Sequence, residues 1–262
     1  RLDITSTIEN AKSIVETVCD NYHNIFDTID IRNSNDYLFK HSIMVAEFSI
    51  AIGIKLNLNQ RELVNLATSA LLHDIGKLCI NKELLDKIKL SDKELMYQEK
   101  LHPIYAYSLL SKVPEITATT KTAILFHHRN EDGTGFPENI KVPDHIFYKI
   151  LHVADTYDNL ISSKNGMNPS DALEYLYANS ETLFNVDVVN AFKSCIPIYP
   201  RGIEVKLSNG LDGVVIDNTG DKSHPKIKVL IKGTNVVFDL RKNLDITIKY
   251  VKTNYEDIEK RY

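Results

Sequence analysis

Hydrophobic residues in the first two-thirds of the chain recur every three or four positions, and this spacing predicts helices. Such a spacing places the apolar side chains on one face of an α-helix. Asn59, and Asn168 before Pro169, are typical of helix starts, because an asparagine side chain accepts hydrogen bonds from the free N–H groups of the first turn. The predicted helices lie near residues 6–30, 36–55, 60–77, 91–112, 116–128, 143–163 and 169–193.

From about Arg201 the pattern changes to short β-branched runs separated by turn residues such as Asn209-Gly210 and Asp212-Gly213. This pattern predicts strands joined by tight turns. The fold class is therefore mainly α: a helical bundle followed by a small C-terminal β appendage, with a short helix at the end of the chain. Three regions are predicted, namely an N-terminal helix at 1–35, a helical domain at 36–196 and a β-rich region at 197–262. The predicted strands are Glu204–Leu207, Val214–Asp217, Lys226–Lys232, Val236–Leu240 and Asp245–Val251, and the last helix is Tyr255–Tyr262.

The composition limits what this helical protein can be. The 262 residues carry a formal net charge of -4, which argues against a general DNA-binding protein, because such proteins carry a basic excess. No apolar run reaches the roughly 18 residues that a membrane-spanning helix needs. The three cysteines include no CxxC pair, so they offer neither a disulfide framework nor a cysteine-type zinc site. We expect a cytoplasmic protein that binds no DNA and has no membrane span.

Three predicted helices carry a polar residue where the apolar stripe calls for a hydrophobic one. These residues are His41, Asp74 and Asp155. A carboxylate at such a position costs several kcal/mol unless it meets a cation or a metal ion. Imidazole and carboxylate donors without thiolates suit one or two Zn, Mn or Fe ions, and an aspartate can bridge a pair. Adjacent His-His and His-Asp pairs extend the set of candidate ligands to His41, His73, Asp74, His102, His127, His128 and Asp155.

These residues lie in motifs that resemble a known family. His73–Lys77 resembles the HDxGK signature of HD-domain metal-dependent phosphohydrolases, and His127–Pro137 resembles the HHExxDGxGYP motif of the HD-GYP subgroup. Val153–Asp158 is similar to the later V-A-D-x-Y-D helix of the same subgroup, and His41 and His102 fall in the right order between these blocks. The resemblance covers roughly residues 36–165. It implies a helical-bundle HD-GYP core that hydrolyses cyclic di-GMP with the help of metal ions.

The resemblance also implies roles for individual residues. His41, His73, Asp74 and Asp155 would hold one metal ion, with Asp74 bridging to a second ion that His102, His127 and His128 complete. Two divalent metal ions (Fe, Mn or Zn) would be the cofactors. A bridging hydroxide would then open cyclic di-GMP to pGpG, and further cleavage would give GMP.

Asp74 and Lys77 are the expected catalytic residues. Lys77, Lys164 and Arg129 are the expected substrate contacts. A surface loop is expected beside the site at Asp132, Gly133, Gly135, Phe136 and Pro137.

The sequence departs from the family pattern at four places. Arg129 stands in place of the glutamate of HHE, and Phe136 in place of the tyrosine of GYP. Lys164 lies where an arginine-containing RPYR segment is usual. Tyr37 stands where trinuclear members carry a glutamate ligand, which favours two metal ions over three. All seven ligands of the two-metal set are present, which favours an active enzyme.

Two alternatives remain open. One is a hydrolase of another cyclic dinucleotide or of a nucleotide phosphoester. The other is a non-catalytic module that binds cyclic di-GMP or docks a protein partner through the loop at Gly133–Pro137. The N-terminal helix is predicted to pack on the core, and a homodimer contact through that helix is the alternative.

Overall fold

The computed structural model describes residues 4–20, 37–80, 92–162, 166–199, 201–218 and 223–251. Lys164, the predicted helix beyond Asp20 and the predicted helix Tyr255–Tyr262 lie outside the described residues. No helix within the described ranges is both long enough and apolar enough to cross a membrane.

The described residues form helices followed by a sheet, which confirms the predicted fold class. The helices are α1 (Thr5–Asp20), α2 (Tyr37–Lys55), α3 (Gln60–Leu72), α4 (Asp92–Lys100), α5 (His102–Ser111), α6 (Ala118–Phe126), α7 (Ile146–Ser162), α8 (Pro169–Ala178) and α9 (Val186–Cys195), with a 3-10 turn at Ile75–Cys79. The strands are β1 (His128–Arg129), β2 (Gly135–Phe136), β3 (Glu204–Leu207), β4 (Asp212–Asp217), β5 (Lys226–Ile231), β6 (Thr234–Asp239) and β7 (Ile248–Val251).

The chain divides into two compact units. The described residues of the first unit are 4–20, 37–80, 92–158 and 176–192, and those of the second are 159–162, 166–175, 193–199, 201–218 and 223–251. In the first unit, α1 packs on α2 and α3 and buries Ala11, Val15 and Val18. In the second unit, the sheet has the antiparallel order β6-β5-β4-β3-β7.

Helix starts follow the local chemistry that the sequence indicates. Asn59 caps α3, since its side chain accepts from the Glu62 backbone N–H at 3.1 Å while the Glu62 side chain accepts from the Asn59 N–H at 2.8 Å. Asn168 caps α8 by accepting from the Asp171 N–H at 3.0 Å. Such caps satisfy backbone donors that have no partner inside the helix.

Three predicted helices are interrupted. The helix predicted at 60–77 ends at Leu72 and continues as the 3-10 turn, and the one at 91–112 breaks at Leu101 before Pro103, whose ring allows it only in a first turn. The helix predicted at 169–193 is two helices, separated by a turn in which Glu181 has a φ of 71°. Periodicity extends across such breaks because it records the buried face and not the backbone hydrogen bonds.

Candidate metal centre

Three of the candidate histidines lie at helix ends. His73 follows α3, His127 follows α6, and His102 comes two residues after the end of α4. The last carbonyls of a helix have no partner within it, and a carbonyl can only accept. Each ring therefore donates from Nδ1 and leaves the Nε2 lone pair for a ligand. The acceptors lie three residues earlier in each case: Ala70 at 2.7 Å, Ile124 at 2.7 Å and Glu99 at 2.8 Å.

The ring of His41 is held by a carboxylate from another helix. His41 lies on α2, and its Nδ1 is 2.7 Å from Oδ2 of Asp158 on α7. Asp158 is fully buried and lies three residues after Asp155, so both carboxylates point from the same face of α7. A carboxylate on the outer nitrogen orients a metal-binding imidazole and raises its basicity. The sequence motifs assign no role to Asp158, although its spacing of three residues from Asp155 indicates a shared helix face.

The two candidate carboxylates each face two groups of histidines. Asp74 has Oδ2 at 3.5 Å from His73 Nε2 and Oδ1 at 3.2 Å from His102 Nε2. Asp155 has Oδ1 at 3.1 Å from His41 Nε2 and Oδ2 at 3.8 Å from His128 Nδ1. Each carboxylate therefore presents its two oxygens in two directions, which is the geometry that a bridging ligand needs.

The structure brings all seven predicted metal ligands into one cluster. They form three overlapping groups whose ligand atoms lie within 4.8 Å of one another: His41, His73 and Asp155; His73, Asp74 and His127; and His102, His127 and His128. Every member is buried except the half-buried His128. Buried nitrogen and oxygen donors without a thiolate fit a divalent Zn, Mn or Fe ion.

The two aspartates of the cluster, Asp74 and Asp155, require positive charge beside them. Burial opposes the charged form of His41, but hydrogen bonds to Asp155 and Asp158 outweigh burial and raise its pKa to about 9. Burial also opposes ionisation of Asp155, but hydrogen bonds from His41 and His73 hold the pKa of this carboxyl well below its usual range. At Asp74, burial is outweighed in the same way, first by the charge of His73, and the pKa is lowered. Both aspartates are therefore ionised and need a cation beside them, either a protonated imidazole or a metal ion.

Two other histidines of the cluster, His127 and His128, have neutral rings. Burial, and after it the charge of His128, lowers the pKa of His127. Burial lowers the pKa of His128 to about 4. Both imidazoles are thus unprotonated near neutral pH, which is the form that binds a metal ion.

Gly76 lets the helix that carries His102 approach the turn that carries Asp74. A Cβ atom at Gly76 would lie 1.9 Å from the carbonyl oxygen of His102 and 2.7 Å from the backbone N of Ala106. No side chain fits such a distance, so the glycine of the HDxGK-like motif serves close packing between the 3-10 turn and α5.

The predicted substrate-binding and loop residues have mixed environments. Lys77 forms an ion pair with Asp74, and its side chain is 39% exposed. Arg129 donates from Nη1 to the carbonyls of Gly135 and Pro137. In the predicted loop, Asp132 and Gly133 are exposed, Gly135 is half-buried, and Phe136 and Pro137 are buried. The protein-docking alternative would therefore have to use the exposed turn at 131–134 and not the buried ring of Phe136.

The fold and the metal-ligand cluster define a class of protein. The family model described as "HD domain" matches residues 28–188, which is more than half of the chain, and the chain belongs to this family. It is 29% identical over 219 residues to the cyclic di-GMP phosphodiesterase PA4108 of Pseudomonas aeruginosa, with 81% of this chain and 52% of the relative covered. It is 28% identical over 168 residues to the 3′3′-cGAMP-specific phosphodiesterase 3 of Vibrio cholerae, with 63% and 36% covered.

These relatives are longer proteins, and the chain spans about half or less of their length. Among solved structures, Bd1817, described as an HDG"Y"P protein from Bdellovibrio bacteriovorus, aligns with a TM-score of 0.58 at 21% sequence identity. That alignment covers 71% of this chain and 61% of Bd1817, and it shows a shared fold. The similarity to HD-domain phosphodiesterases that the motifs indicated is confirmed.

Proposed function

We propose that the chain hydrolyses cyclic di-GMP to the linear dinucleotide pGpG, and further to GMP, at a site with two divalent metal ions. The observation that carries this proposal is the position of the buried Asp74 carboxylate, with one oxygen 3.5 Å from His73 Nε2 and the other 3.2 Å from His102 Nε2. A carboxylate in this position suits the bridge of a dinuclear centre, which acts best on phosphoester bonds. The relative named as a cyclic di-GMP phosphodiesterase supports the substrate class.

The ligand groups favour two ions over three. His73 and His127 each belong to two of the three overlapping groups, and an imidazole nitrogen has one lone pair for one ion. If His73 serves the group with His41 and Asp155, and His127 the group with His102 and His128, each ion would have three protein ligands of its own and Asp74 could serve both. The identity of the ions among Fe, Mn and Zn is left open, because the donors suit all three.

The site residues have different roles in the proposed hydrolysis. Bound divalent ions would supply the Lewis acidity for phosphodiester hydrolysis. Asp74 and Asp155 would balance the charge of the bound ions, and the five histidines would help to hold them. Lys77 lies against Asp74 with a partly exposed side chain, so its ammonium group can reach a substrate phosphate and stabilise negative charge there. The cytoplasmic location and the homodimer through α1 stay predictions.

A second candidate substrate is 3′3′-cGAMP. It is favoured by one observation, the similarity to the Vibrio cholerae phosphodiesterase that is named as specific for this dinucleotide. Both substrates carry the same two-phosphate ring, so the metal centre does not distinguish them. Competition between the two dinucleotides in one reaction would rank them by kcat/KM.

The test combines metal analysis with product analysis. The wild-type chain is expected to hold two ions and to convert cyclic di-GMP to pGpG, which chromatography separates from GMP. Asp74→Ala is expected to lose both the metal and the turnover. Asp144→Ala is the matched control, because the Asp144 side chain is 96% exposed and lies outside the cluster. Wild-type metal content and turnover in Asp74→Ala would refute the mechanism. A wild-type chain that binds metal but turns over neither dinucleotide would favour the non-catalytic module.

A further inference from the structure

The ring of His128 differs from the other candidate imidazoles in how it is held. His41, His73, His102 and His127 each have a hydrogen bond at Nδ1 that fixes the ring. Within the described ranges, the His128 ring forms no hydrogen bond; its centroid lies 4.0 Å from that of the tilted His127 ring, and its Nδ1 lies 3.8 Å from Asp155 Oδ2. The position of this ligand therefore depends on the backbone that carries it.

The backbone of His128 and Arg129 has neighbours on two sides, the Gly135–Pro137 segment and His152. His128 pairs with Phe136 and Arg129 with Gly135 in a ladder of only two residues, which is too short to be stable by itself. The Arg129 side chain adds two bonds across this ladder, from Nη1 to the Gly135 carbonyl at 3.2 Å and to the Pro137 carbonyl at 2.8 Å. On the other side, the ring of His152 lies within hydrogen-bonding reach of the Arg129 backbone.

The guanidinium group is poorly placed to bind a phosphate. A bidentate contact to phosphate uses two neighbouring N–H groups of the fork. One such edge includes Nη1, whose two protons serve the two carbonyls. The other includes Nε, which is buried and has no hydrogen-bond partner among the described residues. The first edge could reach a substrate only by releasing the loop carbonyls, and the second only by bringing the buried Nε into contact with it.

We propose that Arg129 is a positioning residue that clamps the Gly135–Pro137 segment and thereby fixes the backbone of the ligand His128. This inference rests on the proposed two-metal site and replaces the phosphate-binding role that the sequence suggested for Arg129. The arginine after the histidine pair can do this because it bonds to the loop carbonyls directly.

The experiment compares Arg129→Gln and Arg129→Lys with Lys121→Gln. The control removes the same charge and one lysine–carbonyl bond, from Lys121 to the Ser111 carbonyl at 3.2 Å, at a place outside the loop. The first measurement is amide hydrogen exchange of the metal-free proteins. Both Arg129 variants are expected to exchange faster at residues 128–137, and at no other segment, while the control matches the wild type.

The second measurement is metal binding together with steady-state kinetics on cyclic di-GMP. The Arg129 variants are expected to bind one of the two ions about tenfold more weakly, within the range found for residues that orient metal ligands, and to lose kcat with KM unchanged. Lysine should not rescue, because it lacks the planar fork. Unchanged exchange at 128–137 in both variants would overturn the clamp. So would a rise in KM alone in Arg129→Gln that is absent from Arg129→Lys.

Hydrogen exchange requires neither metal nor catalysis, so it tests the clamp even if the chain hydrolyses nothing. A wild-type chain that binds no metal would refute the proposed function, and exchange in the loop would still decide the role of Arg129. Arg129→Lys is the milder change, and far-UV circular dichroism identifies a variant that fails to fold.

Discussion

Loss of the Asp158 carboxylate should weaken metal binding although none of the seven predicted metal ligands is replaced. Asp158 is fully buried and 2.7 Å from His41 Nδ1. It keeps a proton on that nitrogen, so that Nε2 of His41, which lies 3.1 Å from Asp155 Oδ1, is the nitrogen left to bind a metal ion. Asp158→Ala removes this acceptor, and Asp158→Asn keeps an uncharged acceptor of the same shape.

The expected effect follows from the kind of hydrogen bond that is lost. A hydrogen bond to a charged group contributes about 1.5–3 kcal/mol, and about 1.4 kcal/mol corresponds to a factor of ten in a binding constant. Asp158→Ala should therefore weaken the binding of the ion held by His41 by about 10–100-fold, which matches the range for such outer partners. Asp158→Asn should fall between the alanine variant and the wild type.

Competition with a chelator at neutral pH measures both binding constants. Asp144→Asn serves as the control, since the Asp144 side chain is 96% exposed, and thermal unfolding of the metal-free variants separates misfolding from weaker binding. Wild-type affinity for both ions in folded Asp158→Ala would show that the carboxylate does not orient His41.

Three further predictions concern the protein without metal. Burial lowers the pKa of His152 from 6.5 to about 4, so the unfolded chain binds a proton that the folded chain excludes, and stability falls as the pH drops from 6.5 to about 4. His152→Gln should flatten this fall by up to about 1.4 kcal/mol per pH unit in urea unfolding series, and parallel series would contradict the assignment. Tyr157→Phe removes a fully buried hydroxyl that has no hydrogen-bond partner among the described residues, and it should raise the free energy of unfolding by about 1 kcal/mol; a clear loss in denaturant unfolding would mean that the hydroxyl is bonded. Gly76→Ala should lower the free energy of unfolding by about 1–3 kcal/mol, and with it the melting temperature, because the added Cβ would lie 1.9 Å from the His102 carbonyl oxygen. An unchanged melting temperature would show that α5 can move aside.

Much of the site could be predicted from the sequence because its residues interrupt local patterns. Asp74 and Asp155 break apolar stripes, and the stripes alone determine which way those helices face. The adjacency of His127 and His128 is likewise visible in the linear chain. The structure brings these residues together with His41 and His102 in the first unit, as the ordered motifs indicated.

Other features depended on tertiary contacts that no local pattern records. The bond between His41 and Asp158 joins residues 117 positions apart, so the sequence showed a polar residue on α7 without its partner. The Arg129 side chain contacts the Gly135 and Pro137 carbonyls across the short ladder between β1 and β2, whereas its charge alone suggested a phosphate contact. Gly76, in the 3-10 turn after the end of α3 at Leu72, packs closely against α5, and periodicity cannot show this contact.

The helix-end position of three histidines has a consequence for the dynamics of the protein. His73, His102 and His127 each donate from Nδ1 to a carbonyl in the last turn of a helix. Loading of Nε2 with a cation draws electron density from the ring and makes Nδ1–H a stronger donor. Occupancy of the site would thus tighten the ends of α3, α4 and α6 together, and its loss would let the same three ends fray. The backbone around residues 70–73, 99–102 and 124–127 would then report on metal content through its mobility, even when no substrate is present.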